Sequence, residues 1–67
     1  MTADEMFKEL DFVCIFEDYG IIVFDRDGED AIAFNKLDKS IDLKNVDYIT
    51  LSLHKAITQQ MEELGWL

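Results

Sequence analysis

The first ten residues carry their apolar side chains at helical spacing. Ala3, Met6, Phe7 and Leu10 recur at i, i+3, i+4 and i+7, which is one stripe along a helix. Thr2 and Glu5 stand at capping-box positions, where each side chain accepts a hydrogen bond from the other's backbone amide. Met1 and Met6 occupy hydrophobic-staple positions, and Asp4 and Glu5 suit the positive end of the helix dipole. The helix is predicted to stop near Leu10. It is too short to be stable alone, so it must pack on the rest of the chain.

The period then changes. Phe12-Val13-Cys14-Ile15-Phe16 is a β-branched and aromatic run and predicts a strand. Asp18-Tyr19-Gly20 reads as a turn and Ile21-Ile22-Val23-Phe24 as a second strand. Asp27-Gly28 is a hairpin signal, because both residues tolerate positive φ. Ala31-Ile32-Ala33-Phe34 is a third strand. After a polar turn over residues 36–39 comes a fourth, Ser40-Ile41-Asp42-Leu43-Lys44, which alternates cleanly. Thr50 is the preferred N-cap of a last helix, with Asp47 and Ser52 as rivals. Leu53, Ala56, Ile57, Gln60, Met61 and Leu64 form its inner stripe, and Gly65-Trp66 its cap. Glu9-Leu10-Asp11-Phe12 echoes Glu63-Leu64-Gly65-Trp66 as helix end, cap and aromatic. The expected fold is α+β: a short N-terminal helix, a four-stranded antiparallel meander and a C-terminal helix packed on the sheet. At 67 residues the chain has room for one domain, residues 1–67.

Turn lengths set the expected register. A two-residue Asp27-Gly28 turn places Val23 opposite Ile32 and Phe24 opposite Ala31. A four-residue turn over 36–39 places Phe34 opposite Ile41. One face then gathers Ile21, Val23, Ile32, Phe34, Ile41 and Leu43, which the helices can cover. The other gathers Ile22, Phe24, Ala31 and Ala33, joined by alternate residues of the first strand. An outer sheet face should be polar, yet only Ser40, Asp42 and Lys44 of the last strand make it so. This surplus apolar face is either covered by the N-terminal helix, curled on itself, or a docking surface. As a docking surface its expected anchors are Ile22 and Phe24, framed by the small Ala31 and Ala33.

Charge narrows the partners. Fifteen acids against six bases give a net charge of −9, which repels nucleic acid and anionic membranes. Residues 1–30 hold ten of the acids and two of the bases. Glu17, Asp18, Asp25, Asp27, Glu29 and Asp30 cluster at two hairpin tips. They are ordinarily a solvated surface, and alternatively a decoy for a basic groove. Those tips lie at opposite ends of adjacent strands, which weakens the idea of one patch. Cys14 is the only cysteine, so no internal disulfide forms, and a reducing cytoplasm is expected. No signal peptide or membrane-length apolar run is visible.

Candidate chemistry is sparse. His54 is the only histidine and has no ligand partners for a metal, so no metal or other cofactor is expected. Cys14 lies in an apolar strand and reads as an inert core or sheet-face thiol. A Cys14–His54 nucleophile pair lacks any oxyanion-hole glycine loop. The acidic run over residues 25–30 is too short and wrongly spaced for a calcium loop. The protein is not expected to be an enzyme.

Both ends of the chain resemble a set of small uncharacterised phage and prophage proteins of low-GC Gram-positive bacteria. The matching stretches are Thr2-Ala3-Asp4-Glu5-Met6-Phe7-Lys8-Glu9-Leu10, His54-Lys55-Ala56-Ile57 through Gln60, and Glu63-Leu64-Gly65-Trp66. The middle agrees in pattern, ending in Phe34 and Lys39-Ser40-Ile41. Asp11 departs from the pattern, where similar proteins tend to have glycine. The resemblance implies a phage-type accessory protein, with no activity, cofactor or binding residues to carry over. The expected function is a non-enzymatic interaction module, docking on a protein partner or a second copy of itself. The alternative is an acidic decoy or inhibitor of a basic host nucleic-acid-handling protein.

Overall fold

A computed structural model describes all 67 residues. The elements run α1 (Ala3–Glu9), β1 (Val13–Glu17), β2 (Ile21–Arg26), β3 (Asp30–Asn35), β4 (Ser40–Lys44) and α2 (Leu51–Glu63). The four strands form one antiparallel sheet in the order β1-β2-β3-β4. The architecture is therefore α+β, with both helices on one face of a meander.

Both helices begin where the capping residues place them. The Thr2 hydroxyl accepts from the Glu5 amide at 3.2 Å, and the Glu5 carboxylate accepts from the Thr2 amide at 2.8 Å. The Thr50 hydroxyl accepts from the Leu53 amide at 3.1 Å. A further acceptor comes from the far end of the chain. The Glu63 carboxylate accepts from the Ala3 amide at 2.7 Å, tying the start of α1 to the end of α2.

Both helices also end alike. At α1 the Asp11 amide donates to the Lys8 carbonyl and the Phe12 amide to that of Phe7. At α2 the Gly65 amide donates to Glu62 and the Trp66 amide to Met61. These are two Schellman caps, each turned by a left-handed residue: Asp11 with φ 68° and Gly65 with φ 77°. Each cap drives the next aromatic inward. Phe12 is fully buried and Trp66 packs on the core, 6.2 Å from Phe34 between ring centres. Phe12 thus belongs to the cap of α1, and the first strand starts one residue later than the apolar run predicts.

The β2–β3 turn corrects the expected register. Arg26 pairs with Asp30, so the loop holds three residues, Asp27, Gly28 and Glu29, rather than two. Asp27 (φ 59°) and Gly28 (φ 72°) both take the positive φ that the dipeptide suggests. The Asp25 carboxylate accepts from the Gly28 amide at 2.8 Å and holds the longer loop. One added residue moves every β3 partner by one. Phe24 faces Ile32 and Val23 faces Ala33. The four-residue turn into β4 is as expected, with Phe34 opposite Ile41.

The core follows from that register. Ile22, Phe24, Ile32 and Phe34 point toward the helices and meet Ala3, Phe7, Leu53, Ala56 and Ile57. Phe7 stacks on Phe24 at 4.1 Å between ring centres and 22° between planes. It meets Phe12 and Phe34 edge-on, at 6.0 and 6.1 Å. Only 11 of the 67 residues are buried, so each large one carries much of the stability. Ile22 and Phe24, expected as exposed anchors of the outer face, are instead core residues at 6% and 1% exposure. The physical reason is the extra loop residue, which exchanges the faces of β2 relative to β3.

Two outcomes test this packing. Phe24→Ala is expected to cost about 3–5 kcal/mol, most of the stability of so small a domain, and to abolish a cooperative urea transition. A midpoint equal to the parent's would remove Phe24 from the core. The Glu5 carboxyl lies below its ordinary value of 4.5, first because the Thr2 amide and then because the Thr2 hydroxyl bonds it. A depressed folded-state value stabilises the fold above the unfolded value, and that share is lost as pH falls through the folded one. The stability difference between the parent and Glu5→Gln should therefore shrink as pH drops below about 4.5, followed by thermal melts. A difference independent of pH would contradict the capping box.

Candidate functional site

With both helices on one side, no helix covers the other side of the sheet. Three rows cross this open face. Val13, Asp25, Ala31 and Lys44 form one, Phe16, Val23, Ala33 and Asp42 the next, and Ile21, Asn35 and Ser40 the third. Ala31 and Ala33 lie on it as expected. Ile21 and Val23 take the places that the sequence pattern assigns to Ile22 and Phe24. All four are half-buried, shielded only by neighbours within the sheet.

The face is divided. Its β4 side is polar and internally bonded, since the Asn35 amide donates to Ser40 Oγ at 3.1 Å and to Asp42 Oδ2 at 2.9 Å. Its β1 side is apolar. Every residue of β1 is exposed, and Val13, Ile15 and Phe16 are 49%, 59% and 52% exposed. The pairing with β2 is interrupted between Cys14 and Phe16, so Ile15 has no partner opposite it. This is a bulge, which increases local twist and aims side chains away from the regular pleat. β1 is also an edge strand, and half of its backbone donors and acceptors face no neighbour.

The acids at the hairpin tips are mostly engaged in holding the turns. Asp18 Oδ1 accepts from the Gly20 and Ile21 amides at 2.8 and 3.0 Å. Glu17 pairs with Lys36 at 3.2 Å, Asp30 pairs with Arg26, and Asp25 holds Gly28. Asp27 and Glu29 remain exposed, without a side-chain bond. Glu17 and Asp18 stand at the opposite end of β2 from the other four, so the structure brings the six together only as two separate groups.

Nucleophile chemistry finds no assembled site. Cys14 is exposed on the edge strand rather than buried, and its thiol donates to the Phe16 carbonyl at 3.6 Å. His54 is exposed on α2 and makes no side-chain hydrogen bond to Cys14. No three histidine, cysteine or acidic side chains gather closely enough to hold a metal ion. A cleft of about 260 Å³ opens between the β2–β3 end of the sheet and the 45–50 segment. Phe12, Arg26, Asp30, Val46, Tyr48 and Leu53 line it. There the Arg26 guanidinium lies 4.5 Å over the Phe12 ring and is neutralised by Asp30. It serves as a lid on the core rather than a free cation.

Sequence reasoning finds the surplus apolar face but not its edge. The signal available was the run Val13-Cys14-Ile15-Phe16, which lacks any charge between Asp11 and Glu17. Strands with one wet face alternate, and this one does not. No helix is long and apolar enough to cross a membrane. No protein-family model matches the chain, and no curated protein and no solved structure is detectably similar to it.

Proposed function

We propose that the protein is a small cytoplasmic interaction module of phage or prophage type, without catalytic activity of its own, that docks on another protein through β1 and the adjoining open face. The observation that carries this reading is the exposure of all five β1 residues, three of them large and apolar. Isolated exposed apolar residues are ordinary on any surface. A contiguous group on an edge strand offers both apolar area and backbone hydrogen bonds to a partner. Val23, Ala31 and Ala33 extend the same surface inward, and the two alanines leave room for larger side chains. The decoy reading has less support, because the acids it needs stand at two ends of the sheet and mostly anchor turns.

The phage-type assignment rests on the resemblance at the two chain ends. Those positions are largely caps and helix-face residues, and they hold the scaffold rather than the docking strand.

Replacing Ile15 and Phe16 together by serine tests the docking surface. Both side chains are more than half exposed, so the melting midpoint should move by no more than a few degrees. Leu37→Ser, at an apolar turn residue 88% exposed, is the control. Cross-linking in a bacterial lysate should trap the same proteins on the parent and on the Leu37 variant, and lose them on the β1 variant. A β1 variant that captures the parent's full set would overturn the reading.

A further inference from the structure

We propose that the occupant of β1 is an extended, lysine- or arginine-bearing segment of another protein, added to the sheet as a fifth strand. This rests on the reading of β1 as the docking surface and names the chemistry of what docks there.

The sheet has two edges, and they differ. On β4 the open face carries Ser40, Asp42 and Lys44, which place charges where an incoming strand would have to bury side chains. On β1 no charge intervenes between Val13 and Phe16, and the one protective device is the bulge at Ile15. A bulge limits the length of a flat added strand, which favours a short segment over a long sheet edge.

Charge selects the occupant. β1 ends in Glu17 and is flanked by Asp11 on one side and Asp18 on the other, and Asp25 stands opposite Val13 on the neighbouring strand. Lys36, the cation at the Glu17–Asp18 end, is already held by the Glu17 carboxylate at 3.2 Å and the Asp18 carbonyl at 2.8 Å. Residues 1–30 carry ten acids and two bases, and both bases are paired, Lys8 with Asp4 and Arg26 with Asp30. An apolar edge set in a negative field fits a strand with apolar residues inward and cations at its ends. A second copy of the chain fits it poorly. It would bring the same acids and a further charge of −9, and its own β1 holds no cation to meet them.

The test uses the full chain and a synthetic peptide of about ten residues alternating valine and lysine, with amide exchange followed residue by residue. Three further probes separate the terms: the same peptide with glutamate for lysine, the lysine peptide N-methylated along one edge, and the protein alone over a concentration series. The lysine peptide is expected to slow exchange across β1 by about tenfold or more and to leave β4 unchanged. Its affinity should fall about tenfold between about 50 and 500 mM salt. The glutamate and N-methylated peptides should each bind about tenfold more weakly, since one lacks the charge and the other the ladder donors. Equal binding of the lysine and glutamate peptides would overturn the charge selection. Equal binding of the methylated peptide, protection on β4, or no protection on β1 would overturn strand addition. A salt-insensitive dimer that protects β1 would give the edge to a second copy. These results would leave β1-dependent capture from lysate standing, so this proposal and the broader docking reading fail separately.

Discussion

A helix of seven residues has no stability of its own in water, and here one side chain fixes it to the fold. Phe7 stacks on Phe24 from the middle of the sheet and meets Phe12 and Phe34 edge-on. Phe24 and Phe34 also meet edge-on, at 6.0 Å. The four rings join α1, its C-terminal cap and two central strands in a single contact group. Such edge and offset contacts add to the area the rings bury, so position as well as size matters. The hydrogen bond from the Ala3 amide to Glu63 then closes α1 against α2. Without that group the chain would keep a hairpin sheet and one amphipathic helix, with little to hold them together.

The same constraint decides what remains outside. Twenty helical residues in two short pieces cover one face of a four-stranded sheet and no more. Once Phe7 draws α1 onto the face bearing Phe24, that helix cannot cross to the other. The strand nearest α1 in the chain becomes an edge, and its apolar side chains stay about half exposed. Exposure of β1 is thus a consequence of how the core is assembled, and the acids around it surround that edge with negative charge.

Much of the fold was legible because local chemistry and global packing agree. The Thr2–Glu5 box, the Thr50 cap and the paired helix ends at Asp11 and Gly65 are each set by residues within a few positions of one another. The four-residue turn before β4 is of the same kind. What the sequence hid was decided at a distance. Asp27-Gly28 suits a two-residue or a three-residue loop, and both residues take positive φ in the longer one. The choice falls to packing, which sets Phe24 beside Ile32 on the helix side instead of beside Ala31. One residue there exchanges a core pair, Ile22 and Phe24, for a surface pair, Ile21 and Val23. The candidate site was legible as an apolar surplus, while its membership depended on that long-range choice. Phe12 was obscured for a related reason. It continues an apolar run in the sequence, but Asp11 turns it under the helix.

Amide exchange of the free protein, measured residue by residue, tests most directly the claim that β1 is an open edge. Amides of β2 and β3 should be the most protected, and alternate amides of β1 should exchange at least about a hundredfold faster, near the rate of unpaired chain. Protection of every β1 amide to the level of Ile22 and Ile32 would show the edge already paired in solution and would contradict a free docking strand.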